Sequence, residues 1–212
     1  MPSLRRPTVI EVAAVSVPTK DIDGCRRSHL ALLDRIGGLT DEQARSASQL
    51  PDWTVGHVLT HLARNGDSVV RRLEGAARGE TVDQYPGGYA GRASEIAVGA
   101  GRPAAGIVAD VEASAARLDD CCASLPTDAW DRPTRDVSGA ERPANTLMLS
   151  RWREIEVHHA DLGLGYTPAD WPDELVAAWL PRELERLPKR ADPKQLLAWA
   201  IGRSPAPALS NW

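Results

Sequence analysis

The stretch Ser150 to Leu164, SRWREIEVHHADLGL, sets Glu154 and His158 four residues apart. On a helix that interval stacks two side chains on one face, one turn apart. The same interval recurs in TVGHVLTHLARN, between His57 and His61. Four of the chain's five histidines fall in these two segments. A carboxylate and imidazoles on facing helices make an open metal site. The competing reading, ordinary polar residues on half-buried helices, is the weaker one because of that clustering. A chain that brings two such faces together is directed toward an all-helical bundle.

Composition narrows the rest. At 212 residues the chain holds one sizeable domain, or one domain and a small appendage. Hydrophobic residues make up 42% and charged residues 25%, enough to bury a core. The net charge is −4, and no block of Lys and Arg stands out, which argues against a nucleic-acid partner. The apolar stretches are too short to span a bilayer, so no membrane association is expected. Near the N-terminus Glu11 interrupts the apolar run, and a signal peptide is not expected. Cys25, Cys121 and Cys122 are odd in number, two are adjacent, and no CxxC spacing occurs. They make no disulfide framework and point to a reducing cytoplasm. Each falls in an amphipathic pattern where Cys acts as a small hydrophobe.

Taken in order, residues 1–19 form an N-terminal arm. From Asp21 to Ile36 the set Ile22, Cys25, Leu32, Leu33 and Ile36 marks one helical face, closed by Gly37-Gly38. A short helical turn is expected at Asp41–Arg45. Thr54 then caps a helix running to about Arg78, with Val58, Leu62, Val69 and Leu73 buried. Beside that stripe lie His57, His61, Arg64 and Ser68. Residues 79–101 read as a long loop carrying at most one turn, with Tyr85, Tyr89 and Arg92 as candidates for a pocket lid. Pro103 opens a third long helix, to about Leu125. Residues 126–143 are polar, with Trp130 packed inward. A fourth long helix runs from Asn145 to Leu162, with Leu147, Trp152, Ile155 and Leu162 in the core and Arg151, Glu154 and His158 on the adjoining face. After TPADWP come helices over Asp173–Arg186 and Pro193–Arg203. The layout is therefore an arm (1–19), a metal-binding four-helix bundle with long crossover connections (20–171) and a short, mostly helical C-terminal region (172–212).

The donor types set the chemistry. His, Glu and His without cysteine suit Zn²⁺ or a related borderline divalent ion. Three protein ligands leave a position open, as in catalytic zinc. Such an ion lowers the pKa of a bound water or thiol toward neutrality. Glu154 and His158 supply two ligands. The third is His61, one turn deeper than His57, although spacing alone leaves the two open. Asp161, three residues beyond His158, either orients that imidazole or is a solvated end-of-helix residue.

WTVGHVLTHLARN together with REIEVHHADLGLGYTPADWP resembles the mycothiol-dependent maleylpyruvate isomerases, within the DinB-like bundle superfamily. The resemblance covers roughly residues 20–172 and is specific in those two motifs. It implies a zinc site at His61, Glu154 and His158, with no ligand role for His57 or His159. It implies mycothiol as the thiol, held by zinc as a thiolate that adds to the cis double bond of maleylpyruvate or a related unsaturated acid. Rotation and expulsion of the thiol then give the trans isomer. The segment LLAWAIGR resembles the family's C-terminal end and makes Arg203 the arginine that handles acidic ligands; Arg151 is a further cationic candidate for the thiol. The partners implied are a small acidic or electrophilic substrate and a low-molecular-weight thiol, on a monomer or homodimer. The region after Pro172 is shorter than the family's usual mixed α/β C-terminal domain, which leaves a second reading: a mycothiol S-transferase or tailoring enzyme on the same platform. A third is a non-enzymatic metal-binding regulatory bundle.

Overall fold

The computed structural model describes residues 17–210, so the expected arm at 1–19 lies almost wholly outside them. The described residues form two compact units, divided between Tyr166 and Thr167.

In the first unit four long helices make the bundle: α1 (Thr19–Ile36), α3 (Val55–Arg78), α5 (Ala104–Ser124) and α6 (Thr146–Asp161). Between them lie the short α2 (Asp41–Arg45), α4 (Gly88–Ala100) and a hairpin of β1 (Pro133–Arg135) and β2 (Glu141–Pro143). The long helices pack α1 on α6, α6 on α3, α3 on α5, and α5 on α1. Helices α1 and α3 thus sit on one diagonal and α5 and α6 on the other.

Local chemistry accounts for the boundaries. The Thr54 hydroxyl accepts from His57 N and caps α3, while Gly79 ends it in the left-handed conformation at φ 75°. The Asp41 carboxylate accepts from Ala104 N at 2.7 Å and caps α5 from a distance. The buried face of α3 carries Val58, Leu59, Leu62, Val69 and Leu73 against Ile107, Val111 and Leu118 of α5. Each such side chain contributes about 1.5–3 kcal/mol when fully buried. From α6 come Leu147, Trp152 and Ile155, with Leu162 just beyond it, all in the core as the periodicity requires. Trp130 is also inward, at 1% exposure.

Two elements differ from the sequence expectation. The stretch 79–101 is not a loop with one turn; α4 occupies 13 residues of it. Its packing on α3 is through small residues. A Cβ at Gly99 would stand 2.3 Å from the Thr60 methyl, and one at Gly56 would stand 2.8 Å from the Ala100 carbonyl. With so little apolar bulk at the contact, no stripe advertises the helix. The polar connection at 126–143 contains a hairpin, whose three-residue strands pair antiparallel, Thr134 opposite Arg142.

The second unit holds α7 (Asp173–Arg190) and α8 (Pro193–Ala200), and no strand occurs among its described residues. α7 runs one turn past the expected Arg186 despite Pro181 and Pro188 within it. Asp192 accepts from Lys194 N and Gln195 N to cap α8. No described helix is long and apolar enough to cross a membrane.

Candidate metal centre

α3 and α6 pack side by side and bring their two polar faces together. His61 Nε2 lies 3.1 Å from Glu154 Oε2, and His158 Nε2 lies 3.5 Å from the same oxygen. One ligand atom from each of the three residues falls within 4.8 Å of the others. Donors about 2.0–2.2 Å from a tetrahedral zinc stand roughly 3.4 Å apart, so both separations from Glu154 Oε2 match that ion. The imidazoles of His61 and His158 meet edge to face with centroids 4.7 Å apart, and the Trp53 ring stands on His61 at 5.9 Å. On the far side of His158, Nδ1 lies 2.8 Å from Asp161 Oδ2, which leaves Nε2 turned to the cluster.

The electrostatics of the three groups are coupled. Burial alone would raise the Glu154 carboxyl and lower the His158 imidazole. Hydrogen bonds from His158 and His61 instead hold Glu154 well below the usual carboxylate range. Asp161 and Glu154 push His158 up to about 9. His61 goes the other way, down to about 4, because burial outweighs its contact with Glu154. A carboxylate between one neutral and one cationic imidazole is an arrangement in which a divalent cation can replace the His158 proton. The donor set, its spacing and the second carboxylate behind His158 fit a borderline divalent ion.

His57 stands outside the cluster. Its Nδ1 accepts from Thr54 N at 3.3 Å while its own N–H donates to the Thr54 hydroxyl, so it takes the place of Glu or Gln in a capping box. His159 is buried on the other face of α6, its ring stacked on Tyr166 at 3.8 Å. His29 is buried at the α1–α6 contact. Arg151, the further cationic candidate, lies inside the bundle. It is 1% exposed, and it donates to the Leu62 carbonyl, the Asn65 side-chain oxygen and His29 Nε2 inside the bundle. Glu154 and His158 keep some exposure, while Arg151, a turn earlier, is in the core. Arg64 is held by Asp110 and Asp67. Arg203 lies in the second unit, exposed, with its guanidinium on the Ile201 carbonyl.

Arg92 is the cation that meets the cluster. From α4 it donates through Nη2 to His61 Nδ1 at 3.1 Å, with its guanidinium 5.9 Å above the Tyr85 ring. This leaves the His61 proton on Nε2 toward Glu154, so an ion taken at Nε2 would send that proton to Nδ1 and displace Arg92. Sequence reading grouped Tyr85 and Arg92 only as lid candidates, because without α4 nothing placed them against α3. It also missed Glu156, which is buried and accepts from the Ser28 and Tyr166 hydroxyls. A carboxylate at an apolar position of the α6 pattern was the available signal.

The family model for the mycothiol maleylpyruvate isomerase N-terminal domain matches residues 25–163. A crystal structure of the mycothiol-dependent maleylpyruvate isomerase aligns with a TM-score of 0.76 at 21% identity, over 90% of this chain and 96% of that one. YfiT from Bacillus subtilis, described as a probable metal-dependent hydrolase with an unusual four-helix bundle topology, aligns with a TM-score of 0.56 at 17% identity, over 83% and 93% of the two chains. These likenesses show the fold, a four-helix bundle. No curated protein sequence matches the chain.

Proposed function

This chain belongs to the mycothiol maleylpyruvate isomerase N-terminal domain family, and from that premise we propose that it is a metal- and mycothiol-dependent cis–trans isomerase of maleylpyruvate or a related unsaturated acid. The observation that carries the reading is the convergence of His61 Nε2, Glu154 Oε2 and His158 Nε2. These three residues would hold Zn²⁺ or a similar divalent ion and leave a coordination position open. When bound, such an ion supplies the Lewis acidity that keeps a thiol sulfur ionised near neutral pH.

The protein's own residues do the rest. Asp161 fixes the His158 ring with Nε2 toward the cluster. Trp53 and His158 wall the His61 ring and hold its orientation. Glu154 supplies the one negative charge among the three donors, so the loaded site keeps a net positive charge that favours an anionic sulfur and acidic substrates. The free thiols of Cys25, Cys121 and Cys122 fit a reducing cytoplasm, where a low-molecular-weight thiol serves as cofactor.

A second reading, transfer of mycothiol to another electrophile, uses the same donors. It is favoured by the all-helical second unit, since the resemblance implied a mixed α/β region there. The test is metal analysis followed by the absorbance of maleylpyruvate with and without mycothiol. About one metal per chain with thiol-dependent isomerisation is the expected result. Metal without isomerisation, but with loss of mycothiol thiol to added electrophiles, would establish the transferase instead. A protein that takes up no divalent ion overturns both.

A further inference from the structure

The polar face of α3 does not stop at His61. Asn65, Ser68 and Arg72 continue it, all buried, and Arg72 is 7% exposed. The Arg72 Nε donates to the Ser68 carbonyl at 3.1 Å, so the side chain folds back along the helix toward His61. Among the described residues its two Nη groups have no hydrogen-bond partner, and no carboxylate lies within ion-pair distance. The Tyr85 hydroxyl, 3% exposed as a residue, also has none. Neither set of atoms is sealed off, since neither is among the fully inaccessible unpartnered groups.

A guanidinium buried without a counter-charge is costly, and proteins keep one where something else supplies the charge. The groups around Arg72 do not. Tyr85, Asp136 and Glu154 favour its charge from a distance and Arg71 opposes it, but burial dominates and lowers its pKa to about 10. Asp136 is turned to its own loop, accepting from Ser138 and Ala140. Glu154 is committed to the two imidazoles. Next to Tyr85 stands a second guanidinium, that of Arg92.

We infer that Arg72, with the Tyr85 hydroxyl and flanked by Arg92, is a carboxylate-binding subsite that holds the acid end of a small dicarboxylic ligand whose other end lies toward the His61–Glu154–His158 cluster. The subsite rests on the proposed function for the identity of its ligand, and on the buried, unpaired Arg72 for its existence. The fork of a guanidinium matches two carboxylate oxygens, and the phenol adds a third donor. Because no hydrogen bond or ion pair among the described residues joins Arg72 or Tyr85 to the three candidate metal ligands, they bind the acid whether or not the ion is present.

The test is calorimetric titration of the full-length protein with maleate, metal-loaded and metal-stripped, beside its neutral diamide. Wild type binds one maleate per chain, more weakly as salt rises, and ignores the diamide. Arg72→Met loses about 10- to 100-fold in maleate affinity, and Tyr85→Phe about tenfold. Arg72→Lys keeps the charge without the fork and falls between wild type and Arg72→Met. Without ligand, Arg72→Met melts at or above the wild-type temperature, because it removes a buried unpaired charge. Maleate raises the melting temperature of wild type and not of Arg72→Met. The inference is overturned if Arg72→Met binds maleate like wild type, or if wild type binds none in either metal state. A misfolded Arg72→Met leaves the decision to Arg72→Lys and Tyr85→Phe, where unchanged affinity overturns it. Metal content separates the two proposals: loss of metal uptake by wild type strikes the metal reading, while loss of maleate binding strikes the subsite.

Discussion

Asp161 Oδ2 stands 2.8 Å from His158 Nδ1, one helical turn along α6 from the ring it orients. The contact fixes which nitrogen faces Glu154 and makes the imidazole a better donor. Asp161→Asn keeps the shape and removes the charge. We expect metal affinity to fall about 10- to 100-fold, with the helical fold retained. Competition against a coloured chelator measures it, and an unchanged affinity would show that Asp161 is an ordinary end-of-helix residue.

His57 and His61 share a helix and a spacing but do different work. His57 closes the α3 capping box with Thr54. His57→Ala is therefore expected to keep the metal and to cost about 1 kcal/mol of stability. His61→Ala removes one of three ligands and is expected to abolish stoichiometric binding. Metal analysis with urea denaturation of both variants checks this pair, and metal loss from His57→Ala would make His57 the ligand.

How much of this was legible depended on how each residue announces itself. The long helices were readable because apolar residues such as Val58, Leu62 and Leu73 recur at helical spacing and Thr54 marks a start. Glu154 and His158 were readable as a pair because one helix carries both. The choice between His57 and His61 was not, since it turns on how α3 rotates against α6; the family pattern supplied it. α4 was hidden because Gly99 and Ala100 make its contact with α3 without bulk. Arg92 and Tyr85 were lost with it. The surroundings of Arg151 were not legible either, because its place on α6 shows only spacing, while its burial is set by Leu62, Asn65 and His29 on other helices.

The closeness of α1 and α6 rests on Gly24. A Cβ there would stand 2.5 Å from ring atoms of Trp152, which is fully buried and cannot yield. Gly24→Ala gains about 1 kcal/mol of helix propensity. Overpacking against a rigid ring costs about 1–3 kcal/mol, so the net change is destabilising. Gly106→Ala on α5 meets nothing within 4 Å and is expected to stabilise by about 0.5 kcal/mol. The two urea midpoints should move in opposite directions.

His29 gives the bundle an acid sensitivity independent of the metal. Its Nε2 lies 3.0 Å from Arg151 Nη2, and since an arginine can only donate, that nitrogen is held unprotonated. Burial, reinforced by the Arg151 charge, lowers its pKa to about 2. In the unfolded chain the ring titrates near 6.5. As pH falls below that value the unfolded state takes up a proton that the folded state refuses. Stability therefore drops with falling pH, by about 1.4 kcal/mol per unit from this residue, until the folded value is reached. His29→Gln keeps an acceptor for Arg151 and removes the titration. It is expected to be less stable than wild type at about pH 7, through imperfect packing, and to close or reverse that gap at about pH 5. Urea unfolding of both proteins at the two pH values decides it. Parallel losses would mean that His29 is protonated in the folded bundle, and that Arg151 does not hold it neutral.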